Sequence, residues 1–218
     1  MSEIVFAAQM ATHDVYAPVT EGVFDNVIVI NEDTVATKRV PDAFWIVPAG
    51  TENIDGWIND IDILTTDLNG VGAVHSGFYQ NVPAFVYKIV PMLRLGDKIK
   101  IACHSRGCPI GALIAAALVM RGYEVVQMYL FESPNFCFQQ GVDWFAKNIP
   151  NTFTTRCVAA WAKWFGDPVT KVPEPNPWQQ WRPLAGLKLI FGSPKGLKRL
   201  SMIEYHMGET VRGAVAGM

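Results

Sequence analysis

Charge is scarce in this chain. Asp, Glu, Lys and Arg make up only 17% of 218 residues, against 50% hydrophobic residues, so much of the chain must be interior. The formal net charge is -2 and no long basic run occurs, so no nucleic-acid partner is expected. No charge-free apolar span of about 18 residues exists, so no transmembrane segment is expected either. The start, Met-Ser-Glu-Ile-Val-Phe-Ala-Ala, lacks the positive region of a secretory signal. A cytoplasmic location is the default expectation, with export by another route left open. Cysteine is sparse too. The spacing of Cys103, Cys108, Cys137 and Cys157 matches no zinc pattern, so no metal is expected. All four read as small buried hydrophobes in a reducing compartment. Neither internal repeats nor low-complexity stretches appear. What remains is one well-buried domain spanning residues 1–218.

Hydrophobic periodicity orders the chain. A helix is expected over 2–16, and strands over 27–30, 34–40 and 43–47. Ile54, Trp57, Ile58 and Ile61 fall at helical spacing with acidic residues between them, predicting a short amphipathic helix. One longer helix is expected from His75 to about Leu95. Further strands are expected over 98–103, 123–132 and 156–164, a helix over 142–148, and a final pair of strands over 187–191 and 197–202. The segment 167–183 is rich in proline and carries Trp178 and Trp181, so it is neither a regular helix nor a central strand. Helices alternating with short buried strands indicate an α/β layer fold.

The stretch from Lys98 to Cys108 carries the most information. Ile99, Ile101 and Cys103 alternate as on a strand, the strand stops at Ser105, and small and apolar residues then run almost unbroken to Met120. A serine on so tight a strand-to-helix turn has its hydroxyl pushed clear of the backbone, beside the free N–H groups of the new helix. Ser105 is therefore either a nucleophile with part of an oxyanion site or a simple helix cap, worth about 1 kcal/mol.

A nucleophilic serine needs a base. In α/β-hydrolases the order along the chain is nucleophile, acid, histidine, and of His13, His75, His104 and His206 only the last follows Ser105. Between them lie Asp167, just past an expected strand and the first choice of acid, and Glu132, the second. Asp143, Glu124, Glu174 and Glu204 are further candidates.

Several motifs in order carry a family resemblance. Pro48-Ala-Gly-Thr51 followed by Gly56-Trp-Ile-Asn-Asp60 resembles the Arg-Gly-Ser/Thr loop and Trp-x-x-Asp of the class 3, fungal-type lipases. Val74-His-Ser-Gly-Phe78, Cys103-His-Ser-Arg-Gly-Cys108, Phe131-Glu-Ser-Pro134, Asp167-Pro-Val and His206-Met-Gly-Glu209 are similar to that family's later motifs. The resemblance covers about residues 40 to 212, most of the chain. It implies an α/β-hydrolase fold, with a central, mostly parallel sheet flanked by helices. It also implies hydrolysis of carboxylic esters, lipid-like ones foremost, through an acyl-serine and without a cofactor. Carried over position by position, Ser105, Asp167 and His206 form the triad, and Thr51 and Arg106 supply oxyanion N–H groups. His75 and His104 are then structural.

Departures from the pattern matter as much. Cys103 and Cys108 replace glycines of the elbow, which requires a looser turn or smaller neighbours. Ala49 stands where the family has arginine, and Arg106 where it has leucine. A cation in the first turn of a helix opposes its dipole by about 0.3–1 kcal/mol. Either a nearby carboxylate such as Glu132 offsets it, or Arg106 meets an anionic group of the substrate. The helix carrying Ile54, Trp57, Ile58 and Ile61 is either a lid over the serine, giving activation at a lipid interface, or a fixed surface helix. Trp178 and Trp181 are candidates for a second wall of the acyl pocket. Two alternatives stay open: a catalytically silent lipase-like binding domain, and a thioesterase or phospholipase using the same triad.

Overall fold

A computed structural model describes residues 2–16, 22–50, 64–159, 162–166, 181–184, 187–192 and 208–216. Among these, the strands in chain order are β1 Asn26–Ile30, β2 Asp33–Val40, β3 Ala43–Pro48, β4 Thr65–Leu68, β5 Gly72–His75, β6 Lys98–His104, β7 Glu124–Phe131, β8 Thr152–Ala159, β9 Ala162–Gly166 and β10 Leu187–Gly192. The helices are α1 Glu3–Thr12, α2 Ser76–Tyr79, α3 Val82–Ile89, α4 Gly107–Val119, α5 Gln139–Asn148 and α6 Gly208–Ala216. The main sheet has the order β1-β2-β3-β6-β7-β8-β10, with β9 paired to β8, while β4 and β5 form a separate hairpin. Pairings β3–β6, β6–β7, β7–β8 and β8–β10 are parallel, and β1–β2, β2–β3 and β8–β9 antiparallel. This is the expected α/β-hydrolase architecture: a central, mostly parallel sheet with helices on both faces.

On β3 and β6 side chains alternate between two cores. From β3, Phe44 and Ile46 face one core while Ala43, Trp45 and Val47 face the other. The first core lies under α3, α4 and α5 and takes Phe85, Ile89, Leu113 and Phe145 from them. The second lies under α1 and α6, with Ala7, Ala8, Met10, Val211 and Val215. There Tyr129 stacks between Trp45 and Phe131, at centroid distances of 6.2 and 6.4 Å. Its hydroxyl donates to Glu3 at the start of α1 (2.8 Å), and Lys100 pairs with the other oxygen of Glu3 at 2.7 Å. Small residues on α1 let it lie close to the sheet. No helix of the described residues is long and apolar enough to cross a membrane.

The structure departs from the expected elements in four places. The long helix expected from His75 to Leu95 is two helices and a 3-10 turn at Val90–Met92. Pro83 and Pro91 lack the N–H that a continuous helix needs, so α2 ends at Tyr79 and α3 restarts after Asn81. His75 itself closes β5 and caps α2, its Nδ1 accepting from the Gly77 amide at 3.2 Å. Where a single strand was expected over 156–164, β8 starts at Thr152 and pairs back on β9 through Ala159↔Ala162. The helix over 208–216 and the hairpin β4–β5 were not anticipated. The amphipathic helix over 54–61 and the strand over 197–202 lie outside the described residues.

Arg39 on β2 binds Asp97, just before β6, through two hydrogen bonds of 2.7 and 2.9 Å, and also donates to the Met92 carbonyl. Arg39 foremost, with the Arg94 amide, holds the Asp97 carboxyl below the ordinary carboxylate pKa. A depressed carboxylate contributes stability above its unfolded pKa of about 3.9, and that contribution is lost as pH falls through the folded value. Asp97→Asn should therefore lower the urea midpoint at neutral pH, and the gap to the parent should close below about pH 4. A gap independent of pH would refute this account of the pair.

Candidate active site

The carboxyl ends of the parallel strands lie side by side, where α/β sheets deliver functional groups. At the end of β6 the chain turns sharply into α4. Ser105 makes the turn in the left-handed region, at φ +56°, a conformation that costs a side-chain-bearing residue about 1 kcal/mol or more. Its amide donates to the Phe131 carbonyl at the end of β7 (3.0 Å), and its carbonyl accepts from Cys108 in the first turn of α4 (2.9 Å). The side chain is buried, and its Oγ has no hydrogen-bond partner among the described residues. Arg106 is the helix N-cap position, so its amide and that of Gly107 have no carbonyl one turn back within the helix. A hydroxyl held free beside such amides is the arrangement that nucleophilic attack on a carbonyl requires.

Close packing holds the turn. A Cβ added at Gly107 would sit 2.5 Å from the Pro48 carbonyl oxygen and 2.8 Å from that of Ala49. The loop after β3 therefore lies directly on the start of α4, tied down by the Ala49 amide bonding the Thr34 carbonyl at 2.9 Å. Gly50 comes closer still to the serine, since a Cβ there would lie 3.1 Å from Ser105 Cβ. Its amide donates to the Tyr16 hydroxyl (2.8 Å), which stands 3.4 Å from His104 Nδ1. The loop that precedes Thr51 thus abuts the serine, although Thr51 itself lies outside the described residues.

The two cysteines that replace elbow glycines are accommodated by smaller neighbours. Gly111 sits opposite Cys103, where a Cβ would be 3.1 Å from the sulfur. The Cys103 thiol points to the Tyr129 carbonyl at 3.7 Å and that of Cys108 to the Phe131 carbonyl at 3.4 Å. Burial first, then the Cys103 thiol and the Glu132 charge, push the Cys108 thiol well up. Burial likewise takes Cys137 up to about 12. These thiols are packing groups, not reactive ones.

Arg106 does not turn toward Glu132. Its guanidinium binds Asp33, which is buried at the start of β2, and reaches Glu32 at 3.3 Å. Because β2 runs antiparallel to β3, its first residues lie at the same end of the sheet as the close of β3 and β6. Glu132 is on the far side of β6, after β7. Asn81 completes the group by donating to Asp33 at 2.8 Å. Two carboxylates thus offset the cation at the helix start. The Asn-Glu-Asp turn at 31–33 was the signal in the sequence, but its partner could not be read from spacing.

Among the remaining expected site residues, Trp181 is buried in the fold, its ring 5.6 Å from His75 and 4.8 Å from Phe138. Asp167, His206, Ile54, Trp57, Ile58, Ile61 and Trp178 lie outside the described residues. Glu132 is fully buried, accepts a 3.1 Å hydrogen bond from Thr155 and, like Ser105, has a positive φ, of +57°.

No family model and no curated protein matches the sequence. Solved structures do. A mutant form of MDLA from Penicillium cyclopium superposes at TM-score 0.65 with 15% identity, covering 98% of this chain and 86% of that one. The Rhizomucor miehei lipase propeptide complex gives TM-score 0.68 and 15% identity over 96% of this chain and 74% of that chain. Lipase II from Rhizopus niveus gives 0.61 and 17%, over 72% and 62% respectively. All three are fungal lipases, and the likeness shows that this chain shares their fold.

The packing at Gly107 makes a direct prediction. Gly107→Ala should destabilise the fold by about 1–3 kcal/mol, since backbone oxygens fixed by β2 and β3 must shift to admit the methyl. Urea denaturation measures it. An unchanged midpoint would show the elbow to be looser than described.

Proposed function

We propose that the protein hydrolyses carboxylic esters, lipid-like ones foremost, through an acyl-serine. The observation that carries this reading is Ser105 at φ +56°, buried on a strand-to-helix turn with its hydroxyl directed into no bond among the described residues. A helix cap needs neither feature: an ordinary N-cap serine has extended backbone dihedrals and bonds its own helix. The likeness of the fold to lipases supports ester chemistry over other acyl transfers.

In this reading His206 takes the proton from Ser105 as Oγ forms its bond to the ester carbonyl carbon. The carbonyl π pair moves to oxygen, and the amides of Thr51 and Arg106 hold the resulting anion. As the tetrahedral centre collapses, His206 returns the proton to the leaving alkoxide. Water then repeats the sequence on the acyl-serine, releasing the acid. Asp167 fixes the imidazole tautomer and stabilises the imidazolium. No cofactor enters any step.

Arg106 contributes its backbone. The guanidinium, bound to Asp33 and Glu32, is a structural group rather than a receptor for an anionic substrate.

Two experiments test the proposal. Ser105→Ala should abolish covalent labelling by a fluorophosphonate and lower ester hydrolysis by about a thousandfold or more. Labelling that survives in the variant, or fails in the parent, would refute the reading and favour a silent binding domain. Arg106→Leu should reduce turnover of neutral and anionic esters by the same factor, measured side by side. A selective loss on the anionic ester would restore the substrate role of that side chain.

A further inference from the structure

We propose that Tyr16 is a positioning residue of the serine centre: its hydroxyl holds the Gly50 backbone against Ser105 and so fixes the direction of the nucleophilic hydroxyl. This rests on the serine-hydrolase reading above.

Position 50 is crowded from three sides. A Cβ added there would lie 2.3 Å from the Tyr16 hydroxyl, 2.9 Å from the His104 carbonyl oxygen and 3.1 Å from Ser105 Cβ. The backbone at 50 is not left-handed, so glycine stands there for space rather than for conformation. Gly50 thus presents bare backbone to the side chain of Ser105.

The Tyr16 hydroxyl determines where that backbone lies. The Gly50 amide donates to it at 2.8 Å, and the same oxygen stands 3.4 Å from His104 Nδ1. His104 is the residue before the nucleophile and is buried at the close of β6. The two rings meet edge to face, with centroids 6.5 Å apart. One oxygen therefore bridges the loop after β3 and the end of β6, the two segments that meet at Ser105. The turn carrying Tyr16 is braced in its own right. Its amide bonds the His13 carbonyl at 3.1 Å, and Gln9 donates to Asp14 at 2.8 Å.

Attachment of the N-terminal segment does not call for this bridge. Glu3 ties the start of α1 to Tyr129 and Lys100. Arg212 of α6 ties its end, donating to the carbonyl and hydroxyl of Thr12 at 2.9 and 3.0 Å. The course of the loop does not call for it either, since the Ala49 amide already bonds the Thr34 carbonyl. What Tyr16 adds is the placement of Gly50, the loop residue that lies against the serine.

Attack on a carbonyl needs Oγ close to its line of approach, and a misplacement of about 1 Å costs about a hundredfold in rate. Without the phenol oxygen the Gly50 amide loses this partner, the loop draws back, and the serine side chain gains room to turn away.

Tyr16→Phe removes the hydroxyl and keeps the ring beside His104. On a soluble short-chain ester kcat should fall by about ten- to a hundredfold, with KM within about twofold of the parent. Fluorophosphonate labelling should slow by a similar factor yet still reach completion, because Ser105 is present but misdirected. The thermal midpoint should drop by no more than about 4 °C, as for the loss of one hydrogen bond. With an active parent, three results each overturn this proposal alone: an unchanged kcat, a loss confined to KM, or a variant that unfolds below the assay temperature and so shows a purely structural tie. A parent that neither labels nor turns over the ester overturns the serine reading and this proposal with it.

Discussion

One turn organises this molecule: the left-handed residue at the end of β6, pinned by its amide to the carbonyl of Phe131. A strand can pass into a helix within two residues only if both leave room for each other. Here the room comes from glycines at 50, 107 and 111, whose missing side chains admit the Pro48–Gly50 backbone and the Cys103 sulfur. The cysteines at 103 and 108 are tolerated because the space a larger neighbour would occupy is absent. Strain at the serine is offset by a packed setting, with its chain neighbours Cys103, His104 and Cys108 all buried.

The parallel order of β3, β6, β7 and β8 gives that turn its consequence. Parallel strands bring all their carboxyl ends to one edge, and there the loop after β3, the elbow and the turn at Glu132 meet. Antiparallel β2 adds its own beginning to the same edge, which is why Asp33 can reach Arg106. Chemistry is concentrated at one end of the sheet by topology, while the two cores beneath it remain almost wholly apolar.

Much of this could be read from residue order. Alternation on 43–47 and 98–103 gave the strands, and the abrupt change of period at Ser105 gave the elbow. The motifs that flank it gave the fold class. What escaped has identifiable causes. Pro83 and Pro91 interrupt a pattern whose apolar spacing continues across them, so periodicity alone joined α2, α3 and the turn at Val90–Met92. Between Ala159 and Ala162 there is no Gly, Pro, Asn or Asp to announce that the chain doubles back. The partner of Arg106 depends on a sheet order that spacing does not contain. The left-handed backbone of Glu132 carries no sequence signal, because glutamate is not a residue expected there.

Scarcity of charge sharpens the meaning of each ion kept inside. An ionised group costs far more to bury than it returns unless another group answers it. Asp33 is answered by Arg106 and Asn81, so its burial is explained by the helix start that it neutralises. Glu132 is buried at the end of β7 and accepts a hydrogen bond from the Thr155 hydroxyl. Asp33 and Glu132 lie on the two sides of β6, one opening β2 and bound to Arg106, the other following β7.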